Sequence, residues 1–443
     1  MKKICIITTR HISYNPRVLK EADALFENGF DVSVVTVNND SRQRQFDEEL
    51  MKTRGWKLQT ANFRKEYKAE KARWLYLSLK QKLSIFLSGI TLRYGIAERA
   101  AEKAFDDLVR LARAEKADFY LVHHSEALGV GFKAARARKV PFGFDAEDFH
   151  TDMNDLVGLK KATFGYLEKK YLPHSSYLSA ASDGIAKAYQ EKYNIPLPVT
   201  LLNVFPGESL PVREPGRSIR FYWYSQVIGT NRGLEMLLAA AGILVRSLAT
   251  DGASAGPSSG QSSGNPADRS SIGSTAGQSS SGDPLPFELH IRGSMQNEDY
   301  IKELKALAIR EGVLARLFLH EPILAQDLIA DGNFFDVGLA LELNTSVNAN
   351  VCVSNKLFSY LMSGLAVIAT DTAGQKDMLQ QFPAVGRVCR MNDAEDLAGA
   401  MKFYILHRDR LMEAKKEARK AAGTQLNWEY ESRKLLSAIK KIV

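Results

Sequence analysis

Short apolar runs of strand length alternate along this chain with segments whose apolar residues return at helical spacing, the pattern of a parallel sheet covered by helices. Lys3–Thr8 (KICIIT) predicts a buried strand. After a polar loop, Val18, Leu19, Ala22, Leu25 and Phe26 line one face of a helix that Gly29 ends, and Phe30–Val37 is the next strand. Further strands are predicted at Phe119–His123, Pro141–Phe144 and Tyr177–Ala181, with a helix starting near Ser182. Beyond Leu202–Pro206 (LNVFP) the pattern restarts, with strands at Arg220–Ser225, Phe287–Arg292, Leu317–His320, Asp336–Leu341 and Ala366–Thr370. The expected class is therefore α/β. Two consecutive βα domains, residues 1–206 and 207–424, are followed by a terminal segment, 425–443, with a last helix around Trp428–Ile442.

Two stretches break the alternation. Asp251–Pro284 is dominated by Gly, Ser and Pro and cannot bury enough apolar surface to offset its ordering entropy, so a disordered loop is expected there. Its two GxSxG strings, Gly256–Gly260 and Gly260–Gly264, lack the preceding strand and following helix that a nucleophile elbow needs, which excludes a serine hydrolase. Phe63–Leu87 combines seven Lys/Arg with Trp74, Tyr76, Phe86 and several leucines. That composition fits either a pair of surface helices packed by an apolar stripe or a basic amphipathic element resting on an anionic membrane.

At 443 residues the chain exceeds what one core supports, and 45% hydrophobic with 25% charged residues is ordinary for a soluble protein. MKKICIITTR carries an apolar run of strand length with no cleavage-site pattern after it, so no signal peptide is expected. No run of roughly 18 apolar residues predicts a membrane span. Cys5, Cys352 and Cys389 are widely separated, which argues against a disulfide framework or zinc site and suits a reducing cytoplasm. The net charge of +8 fits a solvated basic surface or an anionic partner such as a nucleotide, a phospholipid surface or a lipid pyrophosphate.

The chain has no P-loop, no HExxH and no DxD pair. Its GxGxxA string, Gly129–Ala134, falls in a later βα unit than the first turn where a dinucleotide fingerprint belongs. In Asp336–Leu379 a strand ends near Glu342, and Ser354 is placed to cap a helix with Asn355 and Lys356 in its first turn. A helix start at a strand's carboxyl end presents N–H groups and a positive dipole end to a diphosphate, and Lys356 adds a full charge. Arg220–Glu235 repeats the arrangement with Arg232 and Gly233 opening a helix. Asp145, Glu147, Asp148 and His150 follow a strand of the first domain, where they fit either an acceptor-positioning or general-base group or a salt-bridged loop.

These segments also carry a resemblance. SNKLFSYLMSGLAVIATD is similar to the nucleotide-binding signature of family-4-like GT-B glycosyltransferases, and SQVIGTNRGLE resembles their donor-phosphate turn. FDAEDFH, NPRVLKEADAL and LNVFP resemble a bacterial subgroup associated with capsule and lipopolysaccharide synthesis. The resemblance implies two Rossmann-like domains facing across a cleft, with the last helix crossing back to the first domain. It implies sugar transfer from a UDP- or GDP-linked donor to a glycan or lipid-linked acceptor, with retention of configuration and without a metal or other cofactor.

Residue by residue, Arg232 takes the place of the family's phosphate-contacting lysine and Gln226 that of its partner arginine, with Gly229 and Gly233 in the same turn. The two ribose-gripping glutamates are replaced by Val351 and Ser359, which leaves Glu342, Asn350 and Asn355 as candidate donor contacts beside Ser354, Lys356 and Ser359 itself. His123 matches the histidine beside the transferred sugar, with Asp145, Glu147 and Asp148 at the acceptor side. The expected setting is the cytoplasm, with contact to the inner face of the plasma membrane. Nucleic acid is not an expected partner, because no stacking-aromatic module is present. A sugar-nucleotide epimerase shares the architecture, and the missing glutamates suit a non-catalytic binding or assembly protein.

Overall fold

The computed structural model describes residues 1–153, 156–254 and 287–443. The first half contains β1 (Lys3–Ile7), β2 (Asp31–Asn38), β3 (Lys57–Asn62), β4 (Phe119–His123), β5 (Phe142–Ala146), β6 (Tyr177–Ala180) and β7 (Val199–Thr200). They form one sheet in the order β3-β2-β1-β4-β5-β6-β7. The second half contains β8 (Ile219–Val227), β9 (Phe287–Ser294), β10 (Leu317–His320), β11 (Val337–Ala340), β12 (Ala366–Thr370) and β13 (Gly386–Cys389), ordered β10-β9-β8-β11-β12-β13. Every pairing in both sheets is parallel.

Parallel strands covered on both faces must be apolar on both, and β1 shows this residue by residue. Cys5 and Ile7 enter one core with Val35, Val37, Tyr120 and Val122, while Ile4 and Ile6 enter the other with Val32, Val34, Phe119 and Leu121. In the second sheet Phe221, Leu289, Val337 and Ile368 face one core, and Tyr222, Ala340, Val367 and Ala369 the other.

The strands that the apolar pattern does not mark, β3, β7 and β13, lie at or beside sheet edges, where little is buried. Of KLQTAN in β3, Ala61 alone is buried, and of GRVC in β13, Cys389 alone. The helix after β8 runs Leu234–Ser254, so it extends four residues into the predicted loop 251–284; the rest of that loop lies outside the described residues. Gly129–Ala134 lies within the helix Leu128–Arg138.

Phe63–Leu87 is corrected in two ways. It forms a single long helix, Lys68–Ser88, rather than a pair, and although Phe63 and Leu77 are buried and Trp74 packs on the first core, most of its large apolar residues are left exposed. Leu75, Tyr76, Leu79, Leu83 and Phe86, followed by Ile90 and Tyr94, are each between 52% and 86% exposed. No helix among the described residues is long and apolar enough to cross a membrane.

The chain's last helix, Trp428–Ile442, starts from Asn427, whose side chain accepts from the Tyr430 N–H. Trp428, Leu435, Leu436 and Ile439 then pack in the core of the first sheet with Ile4, Val18 and Leu25. Buried Glu431 accepts the Leu202 N–H at 2.9 Å, tying this helix to the segment that leaves the first sheet.

Candidate functional site

In both sheets the strand order reverses direction at one place, between β1 and β4 and between β8 and β11. Ligands of open parallel sheets bind outside the carboxyl ends of the strands at such a point. Both constellations singled out in the sequence fall there.

In the first domain the site hangs on a buried ionic network. Helix Pro16–Glu27 begins beside β5, and Arg17, 1% exposed, forks onto Asp145 with Nε–Oδ2 2.6 Å and Nη2–Oδ1 2.7 Å. Its remaining Nη1 donates to the Leu201 carbonyl at 2.8 Å. One turn on, Glu21 accepts from His123 Nε2 at 3.0 Å, and His123 Nδ1 donates to Glu147 at 2.9 Å. Burial alone would lower the His123 pKa, but Glu21, Glu147 and Asp145 outweigh it and push the imidazole up from 6.5 to about 10. Asp145 and Glu147 are also penalised by burial, yet Arg17 and His123 respectively hold both carboxylates below their ordinary range.

His123 therefore stands as a cation with both ring nitrogens engaged and no exposed surface. Asp145, drawn into the end of β5, is equally sealed. The side chain of Glu147 is 19% exposed, with Oε1 also accepting from Asn15 Nδ2 at 3.1 Å. Beside it His124, at a positive φ of 67°, is pushed down to about 4 by burial and is neutral, sharing a hydrogen bond with the Thr8 hydroxyl at 3.2 Å. The ligating atoms of Glu21, His123 and Asp145 lie within 4.8 Å of one another, but the Arg17 fork and the protonated imidazole already supply the positive charge that a metal ion would bring.

In the second domain β8, with exposed Gln226 near its end, runs into a turn carrying half-buried Gly229 and exposed Arg232. Arg232 Nη1 donates to the Ser225 hydroxyl at 2.9 Å. Gly233, with φ +76°, lets this turn lie on the backbone beyond β11, since a Cβ there would sit 2.6 Å from Leu341 Cβ and 2.7 Å from the Leu341 carbonyl oxygen. The next residue, Glu342, meets the start of the helix Asn355–Ser363: its carboxylate accepts from Lys356 Nζ and, at 2.9 Å, from the Ser354 hydroxyl. Lys356 Nζ also stands 5.8 Å from the centre of the Trp223 ring.

No protein-family model matches the sequence, and no curated protein matches it. Solved structures do match. A glycosyltransferase from Rickettsia africae superposes with a TM-score of 0.65 at 13% identity, over 100% of this chain and 98% of that one. HepE of Anabaena, solved in complex with UDP and glucose, gives 0.64 at 12% identity over 100% of both chains. A putative UDP-N-acetylglucosamine 2-epimerase from Listeria monocytogenes gives 0.52 at 11% identity, over 100% of this chain and 96% of that one. The chain has the GT-B fold. At these identities the likeness is one of architecture, and the residues must speak for the chemistry.

Several expected donor contacts of this GT-B chain have other partners. Ser359 is 2% exposed, its hydroxyl shared with Tyr224 OH at 2.8 Å and donating to the Lys356 carbonyl at 2.8 Å. Asn350 accepts from the Ala373 N–H at 3.0 Å and so fixes the start of the helix Ala373–Gln381. Asn355 and Gln226 are exposed. Arg232, Gly233, Glu342, Ser354 and Lys356 come together; Asn350, Asn355 and Ser359 surround them at one remove.

Asp148 crosses between the domains. It accepts from Asn348 Nδ2 at 3.0 Å, while Asn348 Oδ1 accepts the Phe149 N–H at 2.7 Å. Val351, in place of a family glutamate, packs against the first domain: a Cβ on Gly184 would lie 2.7 Å from its carbonyl oxygen, and Ser182 donates to that oxygen at 2.7 Å. Asn348 carries no signal in the sequence. Arg17 and Glu21 do carry one: two opposite charges, four apart, on the same helical face as Val18, Ala22 and Leu25.

Removing Arg17 leaves the Asp145 carboxylate buried without its guanidinium partner, so Arg17→Met should cost about 3–5 kcal/mol in urea denaturation at pH 7. In the same series run against pH, the raised His123 contributes fully below about pH 6.5 and loses its contribution as pH rises through about 10. Asp145 and Glu147, lowered, contribute above their unfolded values and lose it in acid. His123→Gln should therefore flatten the alkaline fall; an unchanged alkaline limb contradicts a charged His123.

Proposed function

We propose that this protein transfers a sugar from a UDP- or GDP-linked donor to a glycan or lipid-linked acceptor in the synthesis of a cell-surface polysaccharide. The observation that carries the reading is the convergence of Arg232, Lys356 and the helix start at Ser354 at the switch point of the second sheet. The UDP and glucose of the Anabaena neighbour and the sequence resemblance support it. The diphosphate leaving group gathers negative charge as the glycosidic bond breaks, and fixed cations with an oriented helix end stabilise that charge without reorganising. No metal is required on this reading. Glu147, partly exposed and ionised, is a poor proton acceptor but a good hydrogen-bond acceptor, and it orients the incoming hydroxyl across the cleft. Retention of configuration rests on the resemblance.

A second reading, a non-catalytic GT-B protein, draws on Val351 and Ser359, neither of which offers a carboxylate to a ribose. A thermal-shift series with UDP, GDP, CDP and ADP on wild type, Arg232→Ala and Lys356→Ala separates the two. A ligand at about 100 times its dissociation constant adds about 2.7 kcal/mol, which moves a melting temperature by several degrees. A shift with one diphosphate that both substitutions weaken is expected; no shift with any of them contradicts a donor site. Donor turnover without acceptor points instead to an epimerase.

The same reading extends to the exposed stripe of helix Lys68–Ser88. Leu75, Leu79, Leu83 and Phe86 recur at helical spacing, with exposed Lys68, Lys71 and Lys82 on the same helix and exposed Lys65 just before it. Large apolar residues in water beside lysines match an anionic lipid surface, as a lipid-linked acceptor requires. Beside the stripe a groove of about 280 Å³, lined by Ile85, Ser88, Ala101, Leu159 and Phe164, offers room for a lipid chain. Arg73 and Lys80 are paired with Asp107 and Asp106 and are less available to lipid. Wild type should float with vesicles containing phosphatidylglycerol, and a Leu79→Ser, Leu83→Ser, Phe86→Ser variant should not. Equal flotation of both, or of neither, contradicts the membrane contact.

A further inference from the structure

The cationic pocket of the second domain already holds an anion. Ser354 occupies the cap position of its helix but makes no side-chain capping bond to it; its hydroxyl turns to the Glu342 carboxylate. Lys356, in the first turn, donates to the same oxygen, Oε1. The field of Arg232 reaches this carboxylate too, and with Lys356 it holds Glu342 below its ordinary range despite burial, so the group stays ionised at neutral pH. A carboxylate thus meets a lysine, a serine hydroxyl and a nearby arginine at a helix N-terminus, which is the set of groups a phosphate would meet there.

We infer that the Glu342 carboxylate is an internal stand-in for a donor phosphate, seated on Lys356 and Ser354 when no nucleotide is bound and displaced when a nucleoside diphosphate enters. The inference rests on the donor-site reading above and adds a competitor to it.

Three features separate this pair from an ordinary structural ion pair. First, the pair is reachable: the Glu342 and Lys356 side chains are 30% and 14% exposed, whereas Asp336 and Lys415, the sealed ion pair of the same domain, are each 1% exposed. Second, the backbone of Glu342 is pinned while its side chain is not. Thr370 donates its hydroxyl to the Glu342 carbonyl at 2.6 Å, so the carboxylate can swing by side-chain rotation with the strand end held in place. Third, the cation in the turn packed against its neighbour, Arg232, bonds to a neutral hydroxyl, Ser225, and keeps its charge for an incoming anion.

The consequence is a donor site that is weaker than its groups would make it. If the seated carboxylate is populated about nine-tenths of the time, the apparent affinity for any competing anion falls about tenfold. A diphosphate carries more charge than one carboxylate, so it displaces Glu342, and the freed carboxylate is left near the bound nucleotide. A free phosphate ion, with less charge and no further contacts, competes less well.

Isothermal titration of UDP, GDP and inorganic pyrophosphate into wild type, Glu342→Gln, Glu342→Ala and Lys356→Ala tests this, with melting curves confirming that each variant is folded. Both Glu342 substitutions should tighten pyrophosphate and the preferred nucleotide about tenfold, and Lys356→Ala should weaken both. Pyrophosphate has no ribose, so it reads the anion seat by itself. Weaker UDP or GDP binding with unchanged pyrophosphate binding in Glu342→Gln overturns the inference and makes Glu342 a ribose contact, leaving the donor site standing. Unchanged binding of all three ligands also overturns it. Absence of binding in every variant overturns the donor-site reading and this inference together.

Discussion

A buried guanidinium forked onto a buried carboxylate sets the geometry of the first domain's cleft. Arg17 and Asp145 are 128 residues apart, and neither can be left unpaired away from water. Their contact fixes the start of the first helix against the end of β5, and the third Arg17 bond, to Leu201, adds the segment that leaves the first sheet. Glu21, His123 and Glu147 then fall into place as charges that need one another. Such a network contributes less to net stability than its bonds suggest, because desolvation offsets most of the attraction. What it supplies is position: of its five ionisable side chains, Glu147 is the one whose carboxylate is delivered to the cleft in a defined place and charge state.

The second domain answers with an arrangement of the opposite character. Its charges are half-exposed and few, and they sit on a turn and a helix start instead of under a sheet. On the proposed function, rigid charge in the first domain and exchangeable charge in the second suit a protein that binds and releases a nucleotide while keeping an acceptor hydroxyl aligned. The two sides are joined by Asn348, which bonds to both Asp148 and Phe149, and by the contact of Val351 with Gly184. At Val351, where the sequence resemblance leads one to expect a glutamate, the structure thus has an apolar contact with the first domain.

Most of the architecture was legible because buried parallel strands are apolar on both faces. KICII, DVSVVTVN and AVIAT stand out from their surroundings by composition alone, whereas KLQTAN and GRVC, at sheet edges, do not. The candidate site was legible as residue types at strand ends: Asp145, Glu147, Lys356 and Arg232 were all named from the sequence. Their partners were not. His123 was expected beside a sugar, and it lies sealed between Glu21, 102 residues away, and Glu147. Ser359 was placed on the donor, and Tyr224 holds it 135 residues distant. Long-range pairings of this kind leave no local periodicity, so a linear reading finds the groups and misses what neutralises them.

On the proposed function the nucleotide sits on the second domain with its diphosphate at the helix start of Ser354–Lys356. A crystal structure of the protein with UDP or GDP tests it most directly. Diphosphate density is expected between Lys356 and Arg232, with the Glu342 carboxylate rotated off Lys356 and the distal phosphate facing Glu147 across the cleft. A nucleotide bound against the first domain, or one bound with Glu342 still seated on Lys356 and its phosphates elsewhere, would contradict it.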